Sequence, residues 1–317
     1  MLSVEPDSDT IDALSSLAGL EAVNGNLAEG ERLASEGLGL AQALDAGPVL
    51  SAYLFLAKGL SAAHDDRLTE AAAYYEAAGR LAEAGGDLGA LGTSQLNLAD
   101  VLLRSKPRDA LGPARSAAGH ARRTGRQRHL ATAIANLALA EIELGDWDGA
   151  WAGLSEAIEV EHLESTVLHA LRGCLAGRRG DKEATAASSS ALERYRKTED
   201  PQDKSIIGLV DALTSLLSGN QKDALAHGLS VLELGVVLGI SADAMRFSWP
   251  LSARAARSLG DAEALEGLLR MLDAHPVGHL PPVLRAGRKL VRALVDADAA
   301  LAASPPMAGP SSEVDAS

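Results

Sequence analysis

The 317 residues are 47% hydrophobic but only 3% aromatic, with three Trp, four Tyr and two Phe, and 43 acids against 29 Lys and Arg give a net charge of −14. The apolar fraction excludes a disordered chain, the aromatic shortage argues against a β-sandwich, and the lone Cys174 excludes a disulfide framework or a thiolate metal cluster. Met1 to Thr10 carries Glu5, Asp7 and Asp9, and no uncharged apolar run is long enough to span a bilayer, so the sequence predicts an acidic, soluble, cytoplasmic protein with no signal peptide and no membrane partner.

Alanine- and leucine-rich stretches alternate with short polar breaks. In chain order the predicted helix pairs are 9–24/26–45, 47–64/67–85, 87–105/107–124, 126–144/146–160, 162–179/181–198, 200–218/220–239 and 241–259/261–275, with a last helix at 281–303. The breaks inside the pairs begin at Gly25, Asp65, Lys106, Gly145, Gly180, Gly219 and Gly260, at intervals of 35 to 41 residues. A fixed period of that length marks a repeat protein whose units stack on their neighbours. Gly ends one helix in the left-handed conformation and the following Asp or Asn caps the next. Within 146–160 the apolar residues Ala150, Trp151, Leu154, Ala157 and Ile158 form one buried stripe, and Ala71, Tyr74, Tyr75, Ala78 and Leu81 repeat it. Pro113 and Pro250 fall inside predicted helices and predict a kink or a shifted boundary there. The fold expected is all-α, a right-handed α-solenoid of about seven antiparallel helix pairs over 9–303, between an extension at 1–8 and a disordered tail at 304–317.

The fourth pair carries Asn136-Leu137-Ala138, then Leu144-Gly145-Asp146-Trp147-Asp148-Gly149-Ala150, then Leu154 and Ala157; the second has Gly59, Ala71, Tyr75 and Ala78, and the third Asn97-Leu98-Ala99. This pattern resembles the tetratricopeptide repeat, with a period longer than that family's usual residue count of about 34. The elongated repeats are similar to the helical regions of bacterial signal-transduction ATPases, including maltose-regulator-like activators and proteins linked to class III adenylate cyclases. The resemblance implies a concave groove lined by the first helix of each pair. It also implies that Asn136, and after it Asn97, hydrogen-bonds the backbone of a bound peptide, flanked by Thr93, Thr132 and Arg128; the alternative is that these asparagines only bridge to the backbone of the adjoining repeat. Trp147 and Trp151 read as packing within the repeat.

Chemistry is sparse. The chain has no phosphate-binding Gly-x-x-x-x-Gly-Lys-Ser/Thr loop and no Gly-x-Ser-x-Gly elbow. His275 and His279 are four apart, but Pro276 and Gly278 between them break the helix that metal ligation at that spacing needs. His64-Asp65-Asp66 stands on a turn where Asp is the expected cap, and Cys174 with His162 and His169 reads as a buried thiol near surface histidines. No catalytic group, metal or cofactor is expected.

Charge says more. Arg104, Lys106, Arg108, Arg115, Arg122, Arg123, Arg126 and Arg128 stand within 26 residues that hold one acid, Asp109. On stacked repeats they form a basic patch whose alternatives are a solvated face paired with neighbouring acids, a site for an acidic peptide or protein, or a polyanion site. The missing aromatics and the acidic whole disfavour nucleic acid. The leading expectation is a non-catalytic scaffold for a protein or peptide partner, acting through the groove, the basic patch or both in bacterial signalling or transcription control. The alternative is a detached effector-binding segment of an ATPase- or cyclase-linked regulator. A repeat helix opening at Asp9 with no polar capping helix before it points toward that alternative.

Overall fold

Glycine and aspartate set where the helices stop. In the computed structural model, which describes residues 6–160, 163 and 165–303 (the side chains of 277 and 299–303 excepted), helices α1 (Ser8–Val23) and α2 (Leu27–Ala43) form the first pair, α3 (Pro48–His64) and α4 (Leu68–Gly85) the second, and α5 (Leu88–Leu103) and α6 (Pro107–Thr124) the third. Next come α7 (Gln127–Leu144) with α8 (Trp147–Glu159), α9 (Thr166–Arg179) with α10 (Lys182–Leu192), and α11 (Pro201–Leu217) with α12 (Gln221–Glu233). A one-turn α13 (Gly235–Leu238) leads to the pair α14 (Asp243–Leu259) and α15 (Ala262–Asp273), then α16 (Pro282–Ala303). No strand occurs among the described residues.

Gly25, Gly145, Gly180, Gly219 and Gly260 all take left-handed φ values between 69° and 85°. Asp146, Asp181, Asn220 and Asp261 then cap the following helix, each accepting a backbone N–H three residues on at 2.9–3.2 Å. Asn26 does not: its amide donates to Glu21 Oε2 at 2.6 Å. The second break has no glycine, and Asp66 itself takes φ 54°.

Several predicted boundaries change, among them the start of α9, which opens at Thr166 and not at 162. The helix expected to reach 198 ends at Leu192 in a 3₁₀ turn, Glu193–Tyr195, and the one expected to reach 239 stops at Glu233. The first helix opens at Ser8, inside the expected extension, because Asp7 and Thr10 form a capping box across its first turn. Pro113 and Pro250 shift no boundary, since α6 and α14 run through them. Residues 1–5, the expected tail 304–317 and His162 lie outside the described residues.

Within the stack, the first helices of successive pairs pack on each other (α1, α3, α5, α7, α9, α11, α14 and α16 in turn), and each second helix also packs on the first helix of the next pair. The interior is built largely from alanine: Ala71, Ala78, Ala82, Ala110, Ala114, Ala133 and Ala150 are fully buried. Small residues let helices cross closely, and one large side chain fills the remaining space. Gly59 shows this directly, because a Cβ there would come within 2.9 Å of three ring carbons of buried Tyr75.

One set of contacts breaks the nearest-neighbour rule expected of a solenoid. Arg104, at the end of α5, donates to Ser241 Oγ at 2.7 Å and to Asp100 at 2.9 Å, while the Ser241 hydroxyl donates to Asp66. Arg104 and Asp66 themselves approach at 4.0 Å. Beside them Arg246, only 3% exposed, pairs with Asp243 and with Glu143 at 3.5 Å, and donates to the Leu103 carbonyl at 3.4 Å. This polar seam ties the turns that follow α3 and α5 and the last turn of α7 to the segment entering α14 and its first turn. Residues 66 and 241 are 175 apart in sequence.

Candidate functional site

The first helices present their inner faces to a groove. Asp12, Ser15, Ser16 and Gly19 from α1, Tyr53, Leu56, Ala57 and Leu60 from α3, and Thr93 and Asn97 from α5 line a cavity of about 290 Å³. Stepping back one repeat period from Asn97 reaches Ala57, and another reaches Gly19. The floor is apolar and the walls are polar. Tyr53 donates its hydroxyl to Asp87 Oδ2 at 3.0 Å. Asp87 Oδ1 in turn accepts the Gly89 and Ala90 N–H groups at 2.8 and 2.9 Å, capping α5. The Ala90 N–H and the hydroxyl of Tyr53 hold the Asp87 carboxyl below its usual range, and burial with Asp87 as partner raises the Tyr53 phenol.

The two asparagines expected to serve the groove part company. Asn97 is half-buried in the groove wall, and its side chain makes no hydrogen bond to any described residue. Asn136 is 4% exposed, and its amide donates to the Leu96 carbonyl at 3.3 Å, one repeat earlier. That geometry makes Asn136 a link between repeats, where α7 packs on α5. Thr93 and Thr132 each donate to the carbonyl four residues back, at 2.9 and 3.1 Å, and keep acceptor lone pairs. Arg128 is exposed at the start of α7, where its charge offsets part of the rise that burial and Asp200 give the Asp203 carboxyl. Missing from the sequence reading are Asp12, Ser16 and Tyr53. The asparagine pattern drew attention to α5 and α7, whereas the repeat period alone would have led back to α3 and α1.

Of the basic patch, Lys106, Arg108, Arg115, Arg122, Arg123 and Arg126 are exposed on or beside α6. None makes an ion pair within 4 Å with a described residue, although Arg123 Nη2 donates to His120 Nδ1 at 2.7 Å. Arg104 departs from the expected patch: its side chain is 14% exposed and held in the seam by Asp100, Asp66 and Ser241.

Two further cavities lie toward the C-terminal end. One of about 220 Å³ lies among α9, α11 and α14, where Arg178 stacks on Phe247 at 4.3 Å, and Cys174 lies in its wall with a thiol that burial pushes up to about 12. The other, about 540 Å³, is a mainly apolar space between α14, α15 and α16, walled by Ala253, Leu265, Val291 and Val295 with Arg254 and Arg257 at its edge. Trp147 and Trp151 pack on the core of the middle repeats. Trp147 donates to the Ile142 carbonyl at 3.2 Å, and Arg172 lies 4.9 Å from the Trp151 ring. His275 and His279 fall on the turn and 3₁₀ segment after α15. No helix among the described residues is long and apolar enough to cross a membrane.

This geometry defines an α-solenoid with an inner groove. Neither a family model nor a curated protein matches the sequence. Among solved structures the chain is similar to a tetratricopeptide repeat protein from Parabacteroides merdae, with TM-score 0.53 and 15% identity over 90% of this chain and 99% of that one. It is also similar to a Rap protein complexed with competence and sporulation factor, with TM-score 0.59 and 15% identity over 92% of this chain and 82% of that one. At that identity the likeness concerns the fold: the chain is a tetratricopeptide-repeat-like α-solenoid.

Proposed function

We propose that the protein is a non-catalytic scaffold that binds a partner peptide or protein segment in the groove of α1, α3 and α5. The observation that carries the reading is Asn97, whose amide stands in the groove wall with both donor and acceptor unengaged. A peptide backbone offers the complementary pair at each residue. Tyr53, Thr93 and Ser16 add hydroxyls around an apolar floor, a composition suited to extended chains. Regulatory work in bacterial signalling or transcription control fits such a module, in keeping with the resemblance of its repeats.

Affinity selection of random peptides on the full chain, followed by calorimetry, tests the proposal. Asn97→Ala should weaken the selected peptide about 5- to 10-fold, the scale of one neutral hydrogen bond near 1 kcal/mol. Asn136→Ala, buried in the inter-repeat contact, should lower the melting temperature and leave affinity for the remaining folded protein unchanged. A peptide that binds equally well to the Asn97 variant would sink the groove assignment. The 540 Å³ apolar cavity supports a second reading, a small-effector site in an ATPase- or cyclase-linked regulator. A nucleotide or sugar that raises the melting temperature would favour it, and a screen without any shift would count against it.

A further inference from the structure

The outer face of α6 carries a pattern that the groove leaves unexplained. Arg108, Gly112, Arg115, Gly119 and Arg122 follow the i, i+4, i+7, i+11, i+14 spacing and so form one stripe along the helix. At 1.5 Å per residue the arginines repeat about every 10.5 Å. Nothing within 4 Å would meet a Cβ added at Gly112 or Gly119, so the backbone between the arginines lies bare to the outside. Lys106 extends the charge at one end, and Arg123 and Arg126 extend it at the other.

Five arginines elsewhere, Arg32, Arg67, Arg196, Arg246 and Arg292, each hold two or more carboxylates, while exposed arginines such as Arg80, Arg254, Arg257, Arg270 and Arg285 make no ion pair with a described residue but are not lined up along one helix face with bare glycines between them. With 43 acids to 29 bases, partners are not scarce. Arg108, Arg115 and Arg122 nonetheless make no ion pair within 4 Å with a described residue; Glu141 feels Arg115 only from beyond that distance. Their guanidiniums remain available for bidentate contacts with carboxylates. The outer helices on either side are more acidic, with Glu76 and Glu83 exposed around Arg80 on α4, and Glu156, Glu159 and the Arg179-paired Asp148 exposed on α8. The positive strip is therefore about one helix wide. A nucleic-acid duplex would bring phosphates over those carboxylates, whereas a single helix, 10–12 Å across, would not.

We infer that α6 is a docking strip for an acidic α-helix of a protein partner, whose carboxylates repeat every seven residues and whose backbone approaches closely over Gly112 and Gly119. The inference is independent of the groove: it uses the outer helix of one pair and needs no residue of α1, α3 or the inner face of α5.

The test uses the full chain and four labelled probes followed by fluorescence anisotropy: an alanine-based 21-residue helical peptide with Glu at three successive heptad positions, a peptide of the same composition with the Glu residues scrambled around the helix, poly-glutamate, and a 20-base-pair DNA duplex. The heptad peptide should bind at least 5-fold more tightly than the scrambled one, and its affinity should fall at least 10-fold between 50 and 300 mM salt. Arg115→Gln with Arg122→Gln should abolish that preference with the circular dichroism spectrum unchanged. Gly112→Leu with Gly119→Leu should weaken the heptad peptide without altering the protein's charge. Equal binding of heptad and scrambled peptides, preferential binding of DNA or poly-glutamate, or full affinity in the arginine variant would each overturn the inference.

Discussion

An arginine side chain can only donate, so the His120 Nδ1 that meets Arg123 Nη2 at 2.7 Å must carry a lone pair, and the ring is neutral in this geometry. Burial and the Arg123 charge hold His120 below its ordinary 6.5, and burial with Arg126 and Arg128 does the same for His129 on α7. The sign of the linkage follows. Between the depressed folded values and 6.5 the unfolded chain binds more protons, so stability falls as pH drops through that window and levels off below it. Proton NMR should place both imidazole midpoints under 6.5, and the slope of urea stability against pH should flatten there in a His120→Gln, His129→Gln protein. An unchanged slope would show the basic strip exerts no such influence. At this scale sequence was a partial guide. It named Asn97 and Asn136 together, because a motif registers side-chain type, while depth in the stack decides which amide meets Leu96 and which meets the groove.

For helices the sequence was far more legible, since a left-handed glycine followed by an aspartate cap is a local device that leaves a local trace. Gly145-Asp146 and Gly260-Asp261 are read the same way in sequence and structure. The predicted ends failed where α10 and α12 stop early, for no left-handed glycine marks those points, Gly235 opening the short α13 instead. Packing between paired helices was legible too: Gly59 opposite Tyr75 is a small residue in register with a large one on the next helix. Gly59→Ala should therefore cost about 1–3 kcal/mol by forcing the α3–α4 pair apart. Thermal denaturation can check this, with Tyr75→Leu in the same chain expected to recover part of the loss; additive losses in the double variant would mean the two sites do not touch.

The seam belongs to the molecule as a whole. No window of sequence could reveal it, because the pitch of the stack, summed over more than four repeats, decides which turn lies over which. Asp66 keeps a left-handed backbone that a glycine would adopt more easily, and its carboxylate meets Ser241 beside Arg104. Removing Asp243 and Glu143 together would leave Arg246 charged and buried without a carboxylate, at a cost of about 3–5 kcal/mol. X-ray scattering should then show a larger radius of gyration, and the melting transition should broaden as the two ends uncouple. Scattering identical to the parent would mean that neighbour contacts alone set the shape.

That fastening also bears on how such a protein can change over generations. Repeat arrays usually lengthen or shorten by whole units, since each unit asks only for a neighbour. Here the spacing between Asp66 and Ser241 is part of the fit, so a duplication or deletion between α4 and α14 would carry one half of the fastening out of reach of the other. Units outside that interval are under no such constraint. The interior of the array is held to a fixed count, and its ends are left open to variation.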